Sequence, residues 1–156
     1  MKPKIVVVGS SIPQPNAPHG HLLYRARHNI YAIAADPSTG THTFEWLTQV
    51  AGGDVVLEPR VVQIDADRYV VLFSALRDGR YSLQYRLIDS AGTVLATASV
   101  PGIIFPASAD PILIGREVYW VGWHSASEPE PEYLFALNVS DPTRPAVFMA
   151  MKQLKR

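Results

Sequence analysis

Cysteine is absent from the 156 residues. This excludes disulfides and thiolate metal sites and leaves the compartment open, because cytosolic and secreted proteins alike can lack it. An excess of charge of either sign is also lacking: fourteen basic residues balance fourteen acidic ones, and no run of like charges stands out. The long-range field is weak, and no nucleic-acid partner is expected. No apolar stretch approaches the roughly twenty residues of a membrane-spanning helix, so no membrane partner is expected. Near the start, Lys2 and Lys4 precede Ile5, Val6, Val7 and Val8, a run too short for the apolar region of a signal peptide. It reads as a strand. Helical periodicity sustained over three turns is missing throughout.

What is present is punctuation. Thirteen prolines and ten glycines are spread along the chain, as many short elements joined by turns require. Pro3, Pro59 and Pro111 each stand just ahead of an aliphatic cluster, and proline is tolerated at the first position of a strand. A second strand follows at residues 21–27, 68–74 and 117–124. In the last two, Tyr69 with Phe73 and Tyr119 with Trp123 share the same even spacing, which puts both rings on one face. A third strand carries Tyr31, Tyr85 or Phe135 and closes on Asp36, Asp89 or Asp141. Those aspartates suit turns, where a carboxylate accepts from downstream backbone donors. A fourth strand lies at residues 41–48, 93–100 and 146–151. The expectation is an all-β chain of three four-stranded antiparallel units, about 1–50, 55–100 and 109–151, with irregular connectors at residues 51–54 and 101–109.

Residues 59–101 contain Val61-Val-Gln-Ile, Arg68-Tyr-Val-Val-Leu-Phe, Tyr85-Arg-Leu-Ile-Asp and Gly92-Thr-Val-Leu. They resemble a blade of the bacterial β-propeller repeats found in surface and secreted proteins. Leu134-Phe-Ala-Leu-Asn-Val-Ser-Asp-Pro-Thr-Arg-Pro-Ala-Val147 resembles the end of an LVIVD-type propeller repeat, where a strand runs into a Ser-Asp-Pro turn. Unit one departs from the pattern in its second strand. The resemblance implies blades, and a propeller closes with about four to eight of them. Three blades therefore predict half of a six-bladed ring closed by homodimerisation. The alternative is a β-trefoil, which builds three four-stranded units into a closed monomer.

No nucleophile elbow, zinc-protease helix or phosphate-binding glycine loop is present, and no cofactor is expected. His19 and His21 form the one spacing that could seed a metal site, with His28 or His42 added, although histidines around a glycine in a proline-rich loop are more often solvated. Asp54, Asp65 and Asp67 lack the spacing of a calcium loop and read as turn residues. The aromatic residues Trp46, Trp120 and Trp123, with Tyr24, Tyr119 and His124, are the candidate ligand-binding set. Their odd spacing sends Trp120 and Trp123 to opposite faces, one into packing and one toward a surface. The functional expectation is a non-enzymatic binding or scaffolding module presenting loops to a glycan or protein ligand. The alternative is an enzyme whose composite site forms at the centre of an assembled ring from His19, His21 and residues 65–67.

Overall fold

The computed structural model describes residues 4–11, 28–50, 54–56, 59–106, 110–124 and 132–151. Aspartates make the turns that the sequence calls for. Asp36 Oδ1 accepts from the Ser38 amide at 2.8 Å, Asp89 Oδ1 from Ala91 and Thr93 at 2.8 and 2.9 Å, and Asp141 Oδ1 from Thr143 at 3.2 Å. Hydroxyl donors at Ser38 and Thr143 hold the Asp36 and Asp141 carboxyls below the usual carboxylate range. At Gly40 and Gly92 the backbone takes φ of 70° and 91°, which glycine adopts without the Cβ penalty.

These turns fold the described chain into three antiparallel sheets, with no helix among the described residues. The first contains β1 (Ile5–Ser11), β2 (Asn29–Asp36) and β3 (Thr41–Trp46), in that order. The second has β6 (Arg68–Arg77), β7 (Arg80–Asp89) and β8 (Val94–Pro101) as a meander, with two short pieces, β4 (Val55–Val56) and β5 (Arg60–Gln63), both paired to β6. The third repeats that plan: β9 (Ile103–Ile104) and β10 (Ile112–Ile114) both pair with β11 (Glu117–His124), which continues to β12 (Tyr133–Asn138) and β13 (Ala146–Met151).

Three details differ from the sequence expectation. The strand placed at residues 21–27 lies outside the described residues, and β1 pairs directly with β2, Ile5 opposite Ala35. Lys4 and Asp36 thus match Arg68 and Asp89, and β1 takes the second-strand position of the other sheets rather than the innermost one. A proline ahead of aliphatic residues marks a strand start, and not which strand. The connector expected at residues 101–109 also holds ladder, the strand Ile103–Ile104, and in the second unit Val55–Val56 pairs with β6 ahead of Pro59. Finally, Tyr69 and Tyr119 are not equivalent. Tyr69 faces the first sheet, whereas Tyr119 lies on the face of β11 opposite to Val118 and Trp120, which pack on the second sheet. A shift of one residue moves a strand side chain to the other face.

The sheets stack face to face. Each has a face toward the preceding sheet, here termed N-side, and a face toward the following one, termed C-side. The C-side of the first sheet (Val6, Val8, Ile30, Ala32) packs on the N-side of the second (Tyr69, Val71, Phe73, Ile88). The C-side of the second (Val70, Leu72, Leu83, Tyr85, Leu87) packs on the N-side of the third (Val118, Trp120, Phe135, Leu137). Polar ties fix the stacking. Thr43 Oγ1 donates to Ala91 O at 2.6 Å, Tyr69 Oη to Lys4 O at 3.4 Å and Tyr85 Oη to Pro142 O at 2.7 Å.

Tyr85 is 1% exposed, and burial pushes its hydroxyl well above the ordinary value of 10.0. An unfolded chain releases this proton near pH 10 while the folded chain holds it, so the stability it contributes is complete below pH 10 and is lost as pH rises further. Urea unfolding midpoints should fall between pH 10 and 11, by up to about 1.4 kcal/mol per pH unit for one proton. In Tyr85→Phe the alkaline slope should flatten, with a lower stability at pH 8 from the unpaired Pro142 carbonyl. An unchanged slope would remove Tyr85 as its source.

Candidate functional site

The first sheet does not cover the whole N-side of the second. Cross-strand rows there run Val71, Arg86, Thr97 and then Phe73, Gln84, Ser99, followed by Ala75 opposite Ser82. Alternation on β7 and β8 therefore sends polar groups to one face and Leu83, Tyr85 and Leu87 to the core on the other. Over this polar half lies the crossover at residues 47–50, which leads from β3 toward the second sheet. Between them is a cleft of about 550 Å³.

The wall at residues 47–50 is pinned by a buried amide. Asn29 Oδ1 accepts from the Val50 amide at 2.6 Å and from Thr48 Oγ1 at 2.9 Å, and Thr48 Oγ1 in turn accepts from the Ile30 amide at 2.9 Å. A buried asparagine is tolerated because its oxygen is satisfied in this way. Opposite, Gln84 Nε2 donates to Ser82 Oγ and Ser99 Oγ, both at 2.8 Å. Arg86 lies with its guanidinium carbon 5.4 Å from the centre of the Phe73 ring. Its Nη1 donates to Tyr85 O at 2.8 Å and Gln84 Oε1 at 3.5 Å, and its Nε to Leu47 O at 3.4 Å. Burial pulls Arg86 below the ordinary arginine range, yet a guanidinium stays charged at neutral pH. Arg77, at the rim, pairs with Asp54 at 2.6 Å. The arrangement can hold a polar or anionic small molecule by hydrogen bonds, and among the described residues it brings no nucleophile together with a base.

The aromatic candidates are not gathered in one place. Trp120 is 2% exposed, stacked on Phe135 at 5.7 Å in the core between the second and third sheets. Tyr119 and Trp123 fall on the C-side of the third sheet, and Tyr119 donates to Glu117 Oε2. His124 pairs across with Ile103. Trp46 stands at the opposite end of the stack, edge-on to Tyr31 and Phe44 at 5.9 and 5.0 Å. Tyr24, His19 and His21 lie outside the described residues. His28 Nδ1 is 3.4 Å from Ser10 Oγ, and His42 is exposed opposite Ala35. Asp54 is engaged by Arg77, and Asp65 by Arg68 at 2.5 Å. Among the described residues no three such side chains group to hold a metal.

Arg86, Gln84 and Ser99 were not singled out from the sequence. Their alternation was visible in the strands, but alternation reports a polar face without saying whether solvent or a neighbouring crossover lies over it. No family model, curated protein or solved structure matches this chain.

Proposed function

We propose that the chain is a non-enzymatic binding or scaffolding module that two copies close, head to tail, into a six-bladed propeller-like ring. The observation that carries this is the pair of faces left at the ends of the stack. At one end the N-side of the first sheet exposes Ile5 at 53%, Val7 at 51% and Phe44 at 45%; at the other the C-side of the third exposes Ile112 at 54%, Ile114 at 60% and Val121 at 38%. Monomeric proteins rarely leave such contiguous apolar faces in water.

The two faces are of opposite kind. Within the chain, every sheet-to-sheet junction joins a C-side to an N-side. The free C-side at one end is thus the partner type of the free N-side at the other, and neither is the partner type of itself. A contact between them is heterologous, and such contacts close into rings when the rotation permits. Stacking of separate sheets supports a propeller over a trefoil, whose strands share one barrel. In the ring, Trp46 and Phe44 of one copy meet Tyr119 and Trp123 of the other, so these aromatics serve assembly and the ligand site lies elsewhere.

Light scattering of the purified chain should give a particle of two chains. Phe44→Asp blocks one end and Val121→Asp the other, so each variant alone should be monomeric, and an equimolar mixture should recover a two-chain particle through the one intact junction. A monomeric wild type would overturn the ring, and failure of the mixture to associate would overturn the head-to-tail junction.

A further inference from the structure

Arg86 is an unusual group for its surroundings. A guanidinium half withdrawn from water is costly unless its charge and donors are answered, and no carboxylate of the described residues pairs with it. Of its five N–H donors, those on Nε and Nη1 are taken by Leu47 O, Tyr85 O and Gln84 Oε1, and both on Nη2 are left over among the described residues. The other charges lining the cleft, Arg77 and Asp54, cancel in their own ion pair. Among the described residues one positive charge remains, with two unspent donors, inside a cleft whose volume of about 550 Å³ falls in the range of small-molecule sites.

We infer that this cleft binds a small, singly charged, hydroxyl-rich carboxylate of the uronic-acid class, its carboxylate on Arg86 and its hydroxyls on Thr97, Ser99 and Ser82. Charge selects the carboxylate: one unit of negative charge neutralises the site, whereas a phosphate dianion leaves an excess charge in a half-buried place with no second free cation lining it among the described residues. The serine and threonine hydroxyls select the rest of the ligand. Thr97, Ser99 and Ser82 stand on successive rows of one face, and hydroxyls that both donate and accept suit sugar hydroxyls. Val50 and Ala75, half-buried in the lining, supply apolar surface for a ring to lie against. The inference rests on the binding-module reading but not on ring closure, since every residue belongs to one chain.

Calorimetric titration of the full chain with glucuronate, glucose and inorganic phosphate tests it, with particle mass measured on the same samples. Glucuronate should bind saturably, and glucose and phosphate at least about tenfold more weakly, because hydrogen bonds to a charged group carry that much discrimination. Arg86→Gln should lose glucuronate binding by at least about tenfold. Gln84→Glu keeps the side-chain shape and places a resident carboxylate beside Arg86, so it should abolish binding while melting like the wild type. Absence of glucuronate binding in the wild type, equal binding of phosphate, or unchanged binding in the folded Gln84→Glu chain would each overturn the assignment. A monomeric particle that still binds glucuronate would fell the ring alone.

Discussion

Ser74→Ala is expected to lower the unfolding free energy by about 3 to 4 kcal/mol, although it removes a single oxygen atom. The inner strand of the third sheet breaks after Ile104 and resumes at Ile112. At that break Phe105 is completely buried and has left the ladder. Ser74, on the C-side of the second sheet and also completely buried, answers both of its backbone groups: its hydroxyl accepts from the Phe105 amide at 2.6 Å and donates to the Phe105 carbonyl at 3.1 Å. Alanine leaves two backbone groups in the core without partners, and each costs roughly 1 to 3 kcal/mol. Denaturant unfolding at fixed protein concentration measures the loss, because any self-association would make apparent stability depend on concentration. A loss below about 1 kcal/mol would show that the two groups find other partners.

Gly122→Ala should cost about 2 to 3 kcal/mol, the usual scale of overpacking where nothing can yield. A Cβ at Gly122 stands 2.6 Å from the carbonyl oxygen of Ile104, with Trp120 Nε1 at 3.2 Å and Phe135 at 3.4 Å on its other sides. That oxygen belongs to β9, which is held to β11 by the pairs Trp123 with Ile104 and His124 with Ile103. The Gly9→Ala variant makes the informative contrast. There the added Cβ meets Tyr31 Oη at 2.5 Å and the ring carbon that bears it at 2.7 Å, the outer end of one side chain rather than backbone, which can swing away. Its stability loss should stay within about 0.5 to 1 kcal/mol. Equal losses at the two positions would mean that β9 is not anchored as described.

Much of the fold is legible in the residues before any coordinates. The continuous apolar run 69–73, the alternation in 83–87, the aspartate turns and the scattered prolines and glycines state antiparallel meanders, because each follows from the pleat and from local hydrogen bonding within a few positions. The opposed faces of Trp120 and Trp123 follow equally from strand geometry. The phase of the first sheet does not. Pro3 and Pro59 look alike, but β1 sits where β6 does and not where β5 does, since a strand's neighbour is chosen by distant residues. The short strands ahead of Pro59 and Pro111 are illegible for a related reason. A strand of two residues such as Val55–Val56 or Ile103–Ile104 leaves no periodicity to read.

The candidate site divides in the same way. By itself the sequence determines that there is no local catalytic motif, that the aromatic residues are available for packing or binding, and that Ser82, Gln84 and Arg86 alternate with core residues on one strand. Only the tertiary structure decides which of these become a site. It sends Trp120 into the core, spreads Trp46 and Trp123 to opposite ends of the stack, and lays residues 47–50 over Arg86 to make a cleft from an ordinary polar face. The physical reason is that faces are set locally by the period-two pleat, while what covers a face is set by sheet stacking, which is an outcome of the whole chain's burial.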